Sequence, residues 1–377
     1  MKVVFCISWF WPRESGAERQ ARRQAVELAR RGHRVSVLTR ALPDRPCREE
    51  HQGIEIVRAV CPRELGPLFG VTFLVHMRRA LLQLATDADI VHCHQSLWEA
   101  AASGWARPRL RCPTLVQPAA SGPYGEYRQW QRTRGRRLLR RWILRNDCFV
   151  AISNEIREEL IEFGVCPERV RLIGSGIDTD EFSPGESPLE QKLPPRPRVI
   201  FTGRLHPQKN LDVLLHAWRQ VVRRVPASLI LVGAGPEEAR LRALSDKLGV
   251  AASVLFAGAQ TDVVPYLRAA DVFVLPSVAE GMSNALLEAM AAGLAVAVSR
   301  IGGNTDLVSE GQTGLLFDPT DTDELAQKLL CLLRNAEVRR RLGRAARRFV
   351  VERYSLRSVV DAYERLYREL IAKGSRH

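Results

Sequence analysis

Short apolar runs alternate with helical patterns along the whole chain. In the first half the runs are Val3–Ile7, Val35–Leu38, Ile54–Val57, Ile90–His92, Thr114–Val116, Phe149–Ile152 and Val170–Ile173. In the second half they are Val199–Phe201, Leu229–Val232, Val254–Phe256, Val272–Leu275, Ala295–Val298 and Gly314–Phe317. Each is short enough for a buried strand. Strand alternating with helix predicts parallel sheets covered on both faces. Such sheets take ligands beyond the C-terminal ends of their strands. Between the halves lies a Pro-rich polar stretch, 184–197, which reads as a linker. The pattern therefore predicts an α/β protein of two Rossmann-like domains, 1–183 and 198–354, with a cleft between them.

One stretch concentrates chemistry. In 276–293, Pro-Ser-Val-Ala-Glu-Gly-Met-Ser-Asn-Ala-Leu-Leu-Glu-Ala-Met-Ala-Ala-Gly, a Gly-bearing turn follows the strand Val272–Leu275. A series of good helix formers, Ala285 to Ala292, comes next. Ser283 or Asn284 is placed to cap that helix and Gly293 to end it in the left-handed conformation. A strand, loop and helix in this order aim backbone N–H groups and a positive dipole end at an oxygen-rich ligand. Two carboxylates, Glu280 and Glu288, frame the turn. A wholly helical spacing of eight residues is roughly 12 Å. That exceeds the separation of a glycoside-hydrolase carboxylate pair, about 5–9.5 Å. The two groups then hold separate parts of one long ligand, or are ordinary residues of a capped surface helix.

Other strand ends carry candidates. The first strand leads to Ser15-Gly16-Ala17-Glu18 and a helix from Arg19 to Arg31 closed by Gly32; Gly16 lets backbone approach a phosphate. Phe201-Thr202-Gly203 ends a strand, and Arg204 and Lys209 stand five apart before the next helix. Arginine grips phosphate bidentately and lysine acts as a point charge. His92-Cys93-His94 also closes a strand. Alternation puts the two histidines on one face and no third ligand lies near in sequence, so a hydrogen-bonding role outweighs a metal site. Asp178-Thr179-Asp180 and Asp321-Thr322-Asp323 resemble metal-binding pairs, but the second is better explained as a helix cap. There is no G-x-G-x-x-G and no P-loop signature.

Composition and charge narrow the class. The 377 residues exceed one ordinary core. There is no apolar run of transmembrane length, and the first apolar run is too short for a signal peptide. Eight cysteines without paired spacing predict a reduced, cytoplasmic protein. The net charge of +14 is shared evenly by the two halves and suits phosphorylated substrates, anionic lipid or nucleic acid, though no nucleic-acid motif is present. Residues 128–145 carry eight Arg and no acid, with Trp130, Leu138 and Trp142 interleaved. Leu138, Trp142 and Arg145 are spaced for an amphipathic helix. Such a helix either docks on an anionic membrane or packs its apolar side on its own sheet.

Together these pieces resemble the retaining, metal-independent family 4 glycosyltransferases of the GT-B fold, over nearly the whole chain. The resemblance is carried by Gly-Ala-Glu at 16–18 and by Gly-Arg-Leu at 203–205 with Lys209-Asn210. It is carried also by Glu280-Gly281 through Asn284 to Leu287-Glu288-Ala289, and by Gly302-Gly303 with Gly311 to Leu316. The resemblance implies a nucleoside-diphosphate sugar, of UDP or GDP type, as donor, with no further cofactor. Arg204 and Lys209 would neutralise its diphosphate beside Gly203, with the Gly16 backbone helping. Glu280 would hold sugar hydroxyls alongside Gly281, Met282, Ser283 and Asn284, and Glu288 the ribose. If 128–145 docks on a membrane, the acceptor becomes a lipid-linked or polysaccharide intermediate of cell-envelope synthesis; His92, His94, Ser121 and Tyr124 lie on the expected acceptor side. The last helix, in 355–377, would cross back to the first domain. Two departures stand out: Ser15-Gly16 replaces the usual Gly-Gly, and the loop Gln117–Tyr127 lacks the histidine many members carry. The alternatives are a non-catalytic nucleotide-sugar-binding or membrane-docked protein, and an epimerase or phosphorylase on the same fold.

Overall fold

A computed structural model describes residues 1–64 and 66–374. They form two compact units, Met1–Gly176 with the final helix Leu356–Gly374, and Ile177–Ser355. The first unit holds strands β1 (Lys2–Cys6), β2 (Arg34–Arg40), β3 (Arg48–His51), β4 (Ile54–Val60), β5 (Ile90–His94), β6 (Thr114–Gln117), β7 (Cys148–Ala151) and β8 (Val170–Leu172). They pair in the order β3-β4-β2-β1-β5-β6-β7-β8. The second unit holds β9 (Arg198–Thr202), β10 (Ser228–Val232), β11 (Val254–Gly258), β12 (Val272–Leu275), β13 (Ala295–Ser299) and β14 (Leu315–Phe317). Their order is β11-β10-β9-β12-β13-β14.

Every pairing is parallel except β3 with β4. Each sheet grows outward from its first strand in one direction, then restarts on that strand's other side. The order reverses between β1 and β5 in the first unit and between β9 and β12 in the second. In open α/β sheets these reversals leave a crevice at the strand C-termini, and ligands bind there.

The apolar runs became strands because parallel strands are buried on both faces and read as continuous hydrophobic stretches. Residues Val3 to Ile7 are wholly buried, as are Val272 to Leu275. β3 was not expected: Arg48-Glu49-Glu50-His51 has no apolar run. It is an edge strand held by a turn in which Gln52 and Gly53 both have positive φ, the geometry of a tight hairpin.

The helix Leu356–Gly374 completes the first core with Val359, Val360, Tyr363, Leu366 and Tyr367. Its two tyrosines reach buried partners. The Tyr363 hydroxyl donates to Gln117 Oε1 at 2.6 Å, and the Tyr367 hydroxyl lies 2.7 Å from His92 Nδ1. The sequence expectation ran this element to residue 377; its last three residues lie outside the described ones.

Two expectations need correction. The division falls after Gly176, and the 184–197 stretch belongs to the second unit. Ser187 donates to the Pro265 carbonyl (2.6 Å), Ser228 to that of Pro195 (2.9 Å), and Arg196 to Asp271 (2.7 Å). The basic segment is two helices, Glu126–Arg132 and Arg136–Ile143, broken at Gly135, whose φ is +74°. Its inward face is Leu139 and Ile143, whereas Leu138 is 49% exposed and Arg145 lies past the helix end. The Leu138–Trp142–Arg145 spacing therefore marks the outer side.

Candidate active site at the strand ends

In the second unit the loops after β9 and β12 flank the sheet reversal and are stitched together. Gln208 accepts from the Val278 N–H (2.9 Å) and donates its amide to the Ala279 carbonyl (2.8 Å). This brings Lys209 Nζ to 2.5 Å from Glu280 Oε1 across 71 residues of sequence. Ser277 donates to the same oxygen at 2.6 Å. Glu280 is 8% exposed. Arg204, by contrast, points a solvent-exposed side chain from the same loop.

Backbone approaches without room for side chains shape the floor. A Cβ on Gly233, after β10, would sit 1.9 Å from the Gly203 carbonyl oxygen. One on Gly303 would sit 2.3 Å from the Gly281 oxygen and 2.6 Å from that of Glu280. Gly303 therefore lets its short helix seat directly beneath the Glu280-Gly281 turn.

The helix Asn284–Ala291 starts as expected. Ser283 caps it by accepting from Leu286 N (3.4 Å), and Gly293 follows it at φ +82°. Only Glu288 of the two framing carboxylates is helical, and it is buried on that helix; Glu280 stands in the turn before it. Met282 is buried in the turn with Gly281, and Asn284 is the first residue of the helix.

Sequence reasoning missed Gln208, Ser277, Ser299 and Asn304. Ser277 lies inside the stretch already singled out, and Asn304 directly follows the Gly302-Gly303 pair. Small polar residues at those places were the available signal.

The first unit handles its strand ends differently. Gly16 begins the helix Gly16–Arg30, three residues earlier than expected, behind Ser15, whose N–H donates to Glu18 at 2.9 Å. His92 and His94 are 0% and 3% exposed and stack on each other at 4.1 Å, with Phe5 against both. Burial holds His92 well below the usual imidazole range and His94 at about 3, so both are neutral. Strand alternation turns both rings inward, and His92 meets the tyrosines of the last helix.

Ser121 is also enclosed, donating to Glu155 at 2.8 Å, whereas Tyr124 is exposed. Their loop is pinned from beneath. Glu126 accepts from the Ala119 and Ala120 N–H groups (2.9 and 3.0 Å), and Glu159 from that of Gly122 (2.8 Å). Burial pushes Glu159 up to about 7 and Glu99, which accepts from the Ser8 hydroxyl, also to about 7. At the end of β1 the Arg40 and Arg13 guanidinia lie 4.0 and 5.5 Å from the Trp9 ring centre.

Neither Asp-x-Asp pair gathers a ligand set. Asp178 accepts from Asp180 and Glu181 N–H groups at 3.0 Å each, and Asp321 caps the helix Thr322–Arg334. Among the described residues no three His, Cys, Asp or Glu side chains converge. Nor is any described helix long and apolar enough to cross a membrane.

Comparison with known proteins bears on both units. Residues 15–181 match the model described as Glycosyltransferase Family 4, and 196–335 that of Glycosyl transferases group 1. A D-inositol 3-phosphate glycosyltransferase of Saccharomonospora viridis is 33% identical, covering 92% of this chain and 88% of its own. Anabaena HepE, solved in complex with UDP, superposes with a TM-score of 0.81 at 21% identity, over 98% of this chain and 100% of its own. A sucrose-phosphate synthase from Thermosynechococcus elongatus also reaches 0.81, at 24% identity over 99% of each chain.

Proposed function

Because the chain belongs to the family 4 (group 1) glycosyltransferases, of GT-B fold, we propose that it moves a sugar from a nucleoside-diphosphate donor to a hydroxyl acceptor, with retention and without a metal. The observation that carries this reading is the Lys209–Glu280 pair at the sheet reversal of the second unit. A cation and a buried carboxylate stand there in contact, with the exposed Arg204 on the same loop. The cations suit a diphosphate, the carboxylate suits sugar hydroxyls, and Glu288 suits the ribose. Gly16, the first residue of the helix Gly16–Arg30, has no side chain to keep a phosphate from the backbone. The UDP bound to HepE makes UDP the first donor type to test, with GDP next.

In the reaction the bond between the anomeric carbon and the diphosphate oxygen breaks, and the acceptor oxygen bonds to that carbon. The acceptor proton passes to the departing phosphate oxygen. Negative charge grows on the leaving group, so Arg204 and Lys209 stabilise the transition state more than the ground state. Lys209 begins on Glu280 and can share its ammonium with phosphate, since it carries three donors.

The acceptor we favour is a lipid-linked or polysaccharide intermediate, met at an anionic membrane surface. Seven of the eight arginines in 128–145 are exposed, all but Arg140. The helix Pro67–Leu84, which packs on the helix Trp98–Ala106 as Arg136–Ile143 also does, exposes Val71 (60%) and Val75 (44%). One turn on, Arg78 lies over Trp105, which stacks on Trp142. Arginine, tryptophan and aliphatic groups on one helical layer are the composition of an interfacial surface. A second acceptor class, a phosphorylated polyol, is favoured by the named activity of the 33% identical relative and by Arg13 and Arg40 at the end of β1.

The test incubates the protein with labelled UDP- and GDP-sugars and either a membrane-lipid extract or inositol phosphates, and identifies products by mass. Label moved to an acceptor supports the reading and picks the acceptor class. An epimerised or phosphorolysed donor, or no label moved with any donor, refutes it.

A further inference from the structure

Glu280 is supported by a chain of buried groups that leads away from the crevice. Asn304 donates its amide to the Ser299 carbonyl (3.0 Å) and hydroxyl oxygen (3.1 Å). The Ser299 hydroxyl donates to the Ser277 carbonyl at 2.5 Å, and the Ser277 hydroxyl to Glu280 Oε1 at 2.6 Å. Ser277, Ser299 and Asn304 are all 0% exposed. They come from three places: the loop after β12, the last residue of β13, and the short helix Gly302–Thr305. Gly303 in that helix seats against the carbonyls of Glu280 and Gly281.

We propose that Ser277, held by Ser299 and Asn304, is a positioning residue for glycosyl transfer: it aims the Glu280 carboxylate and, through it, the Lys209 ammonium. This rests on Glu280 and Lys209 being donor-contacting groups. A carboxylate on a loop turns readily about its last side-chain bond, which has broad torsional preference. Two donors on one oxygen fix both its plane and its depth. Ser277 is itself fixed through its backbone carbonyl, so the aim is set by the sheet rather than by the loop. Small displacements at a reacting centre are costly, about 100-fold for roughly 1 Å.

A serine that only satisfies a buried carboxylate would affect folding and donor binding rather than turnover. The experiment compares wild type, Ser277→Ala, Ser277→Thr and Glu280→Ala. It measures UDP released from UDP-glucose, with and without membrane-lipid extract, alongside UDP affinity by calorimetry and Tm. Ser277→Ala is expected to lower kcat by about 10- to 100-fold with UDP affinity within about 3-fold of wild type. Ser277→Thr, which keeps the hydroxyl, is expected to recover most of the turnover. The positioning role is overturned if Ser277→Ala turns over like wild type while Glu280→Ala does not. It is also overturned if both Ser277 variants lose Tm and UDP affinity together. Wild-type turnover in Glu280→Ala would instead overturn the donor assignment beneath it.

Discussion

Both sheets reverse their strand order beside their first strand, yet the two reversals are armed differently. In the second unit a lysine meets a buried carboxylate, an arginine projects into solvent, and hydrogen bonds stitch the loops that carry them. In the first, imidazole and carboxyl groups at the strand ends turn inward: two neutral histidines beneath the last helix, Glu99 near the end of β1, and glutamates that pin a polar loop. A diphosphate presents the same charge whatever the sugar, so a short fixed set of cations and carboxylates can serve it. Acceptor recognition depends on shape and on a few contacts. In the first unit the buried polar groups hold the scaffold, whereas Tyr124 and seven of the eight arginines in 128–145 stay exposed.

The largest expected contrast comes from breaking each region in turn. Lys209→Ala or Glu280→Ala should cut transfer by about 1,000-fold, the scale of losing transition-state charge stabilisation, with Tm nearly unchanged. His92→Ala should do the opposite. Its expected cost is about 2–4 kcal/mol of stability, read by denaturant unfolding, with turnover per folded molecule close to wild type. Activity lost at His92 and kept at Lys209 would invert the comparison.

A smaller effect concerns the outer surface of the first unit. Replacing Arg136, Arg137 and Arg141 by Glu should abolish sedimentation with phosphatidylglycerol-containing vesicles, since each basic residue contributes about 1 kcal/mol at such a surface. Raising salt should weaken the wild type in the same assay. UDP affinity, which we assign to the other unit, should not move. Unchanged sedimentation of the variant would remove the membrane from the account.

The smallest effect is a pH dependence within the first unit. The Glu99 carboxyl is raised in the folded state to about 7, so the folded protein holds its proton more tightly than the unfolded chain. Its contribution is therefore complete below the unfolded carboxylate value and is lost as pH rises through about 7. Glu99→Gln cannot ionise, so the Tm difference between variant and wild type should grow in the variant's favour between pH 5 and 8. A constant difference across that range would show that burial of Glu99 is not what the titration reports.

Much of this was legible in the sequence. The apolar runs located the parallel strands because strands buried on both faces leave little choice of residue. The Glu280 to Gly293 stretch gave the turn, the Ser283 cap and the Gly293 ending because those depend on local chemistry alone. What escaped depends on packing between distant segments. β3 is charged and exists because β4 pairs with it. Leu139 and Ile143 rather than Leu138 face inward because Gly135 breaks the segment and resets its phase. The inward turn of His92 follows from which sheet face the last helix covers, about 270 residues later. Ser277, Ser299 and Asn304 are ordinary small polar residues until the sheet brings them into one line.

We propose that the second unit holds the donor's diphosphate through the loop after β9. Calorimetric titration of UDP into wild type and Arg204→Ala tests it most directly, because Arg204 is exposed and its removal should leave the fold intact. Wild type is expected to bind UDP saturably and the variant about 10- to 100-fold more weakly, the worth of a charge-assisted contact to phosphate. Equal affinity in the two proteins would contradict it.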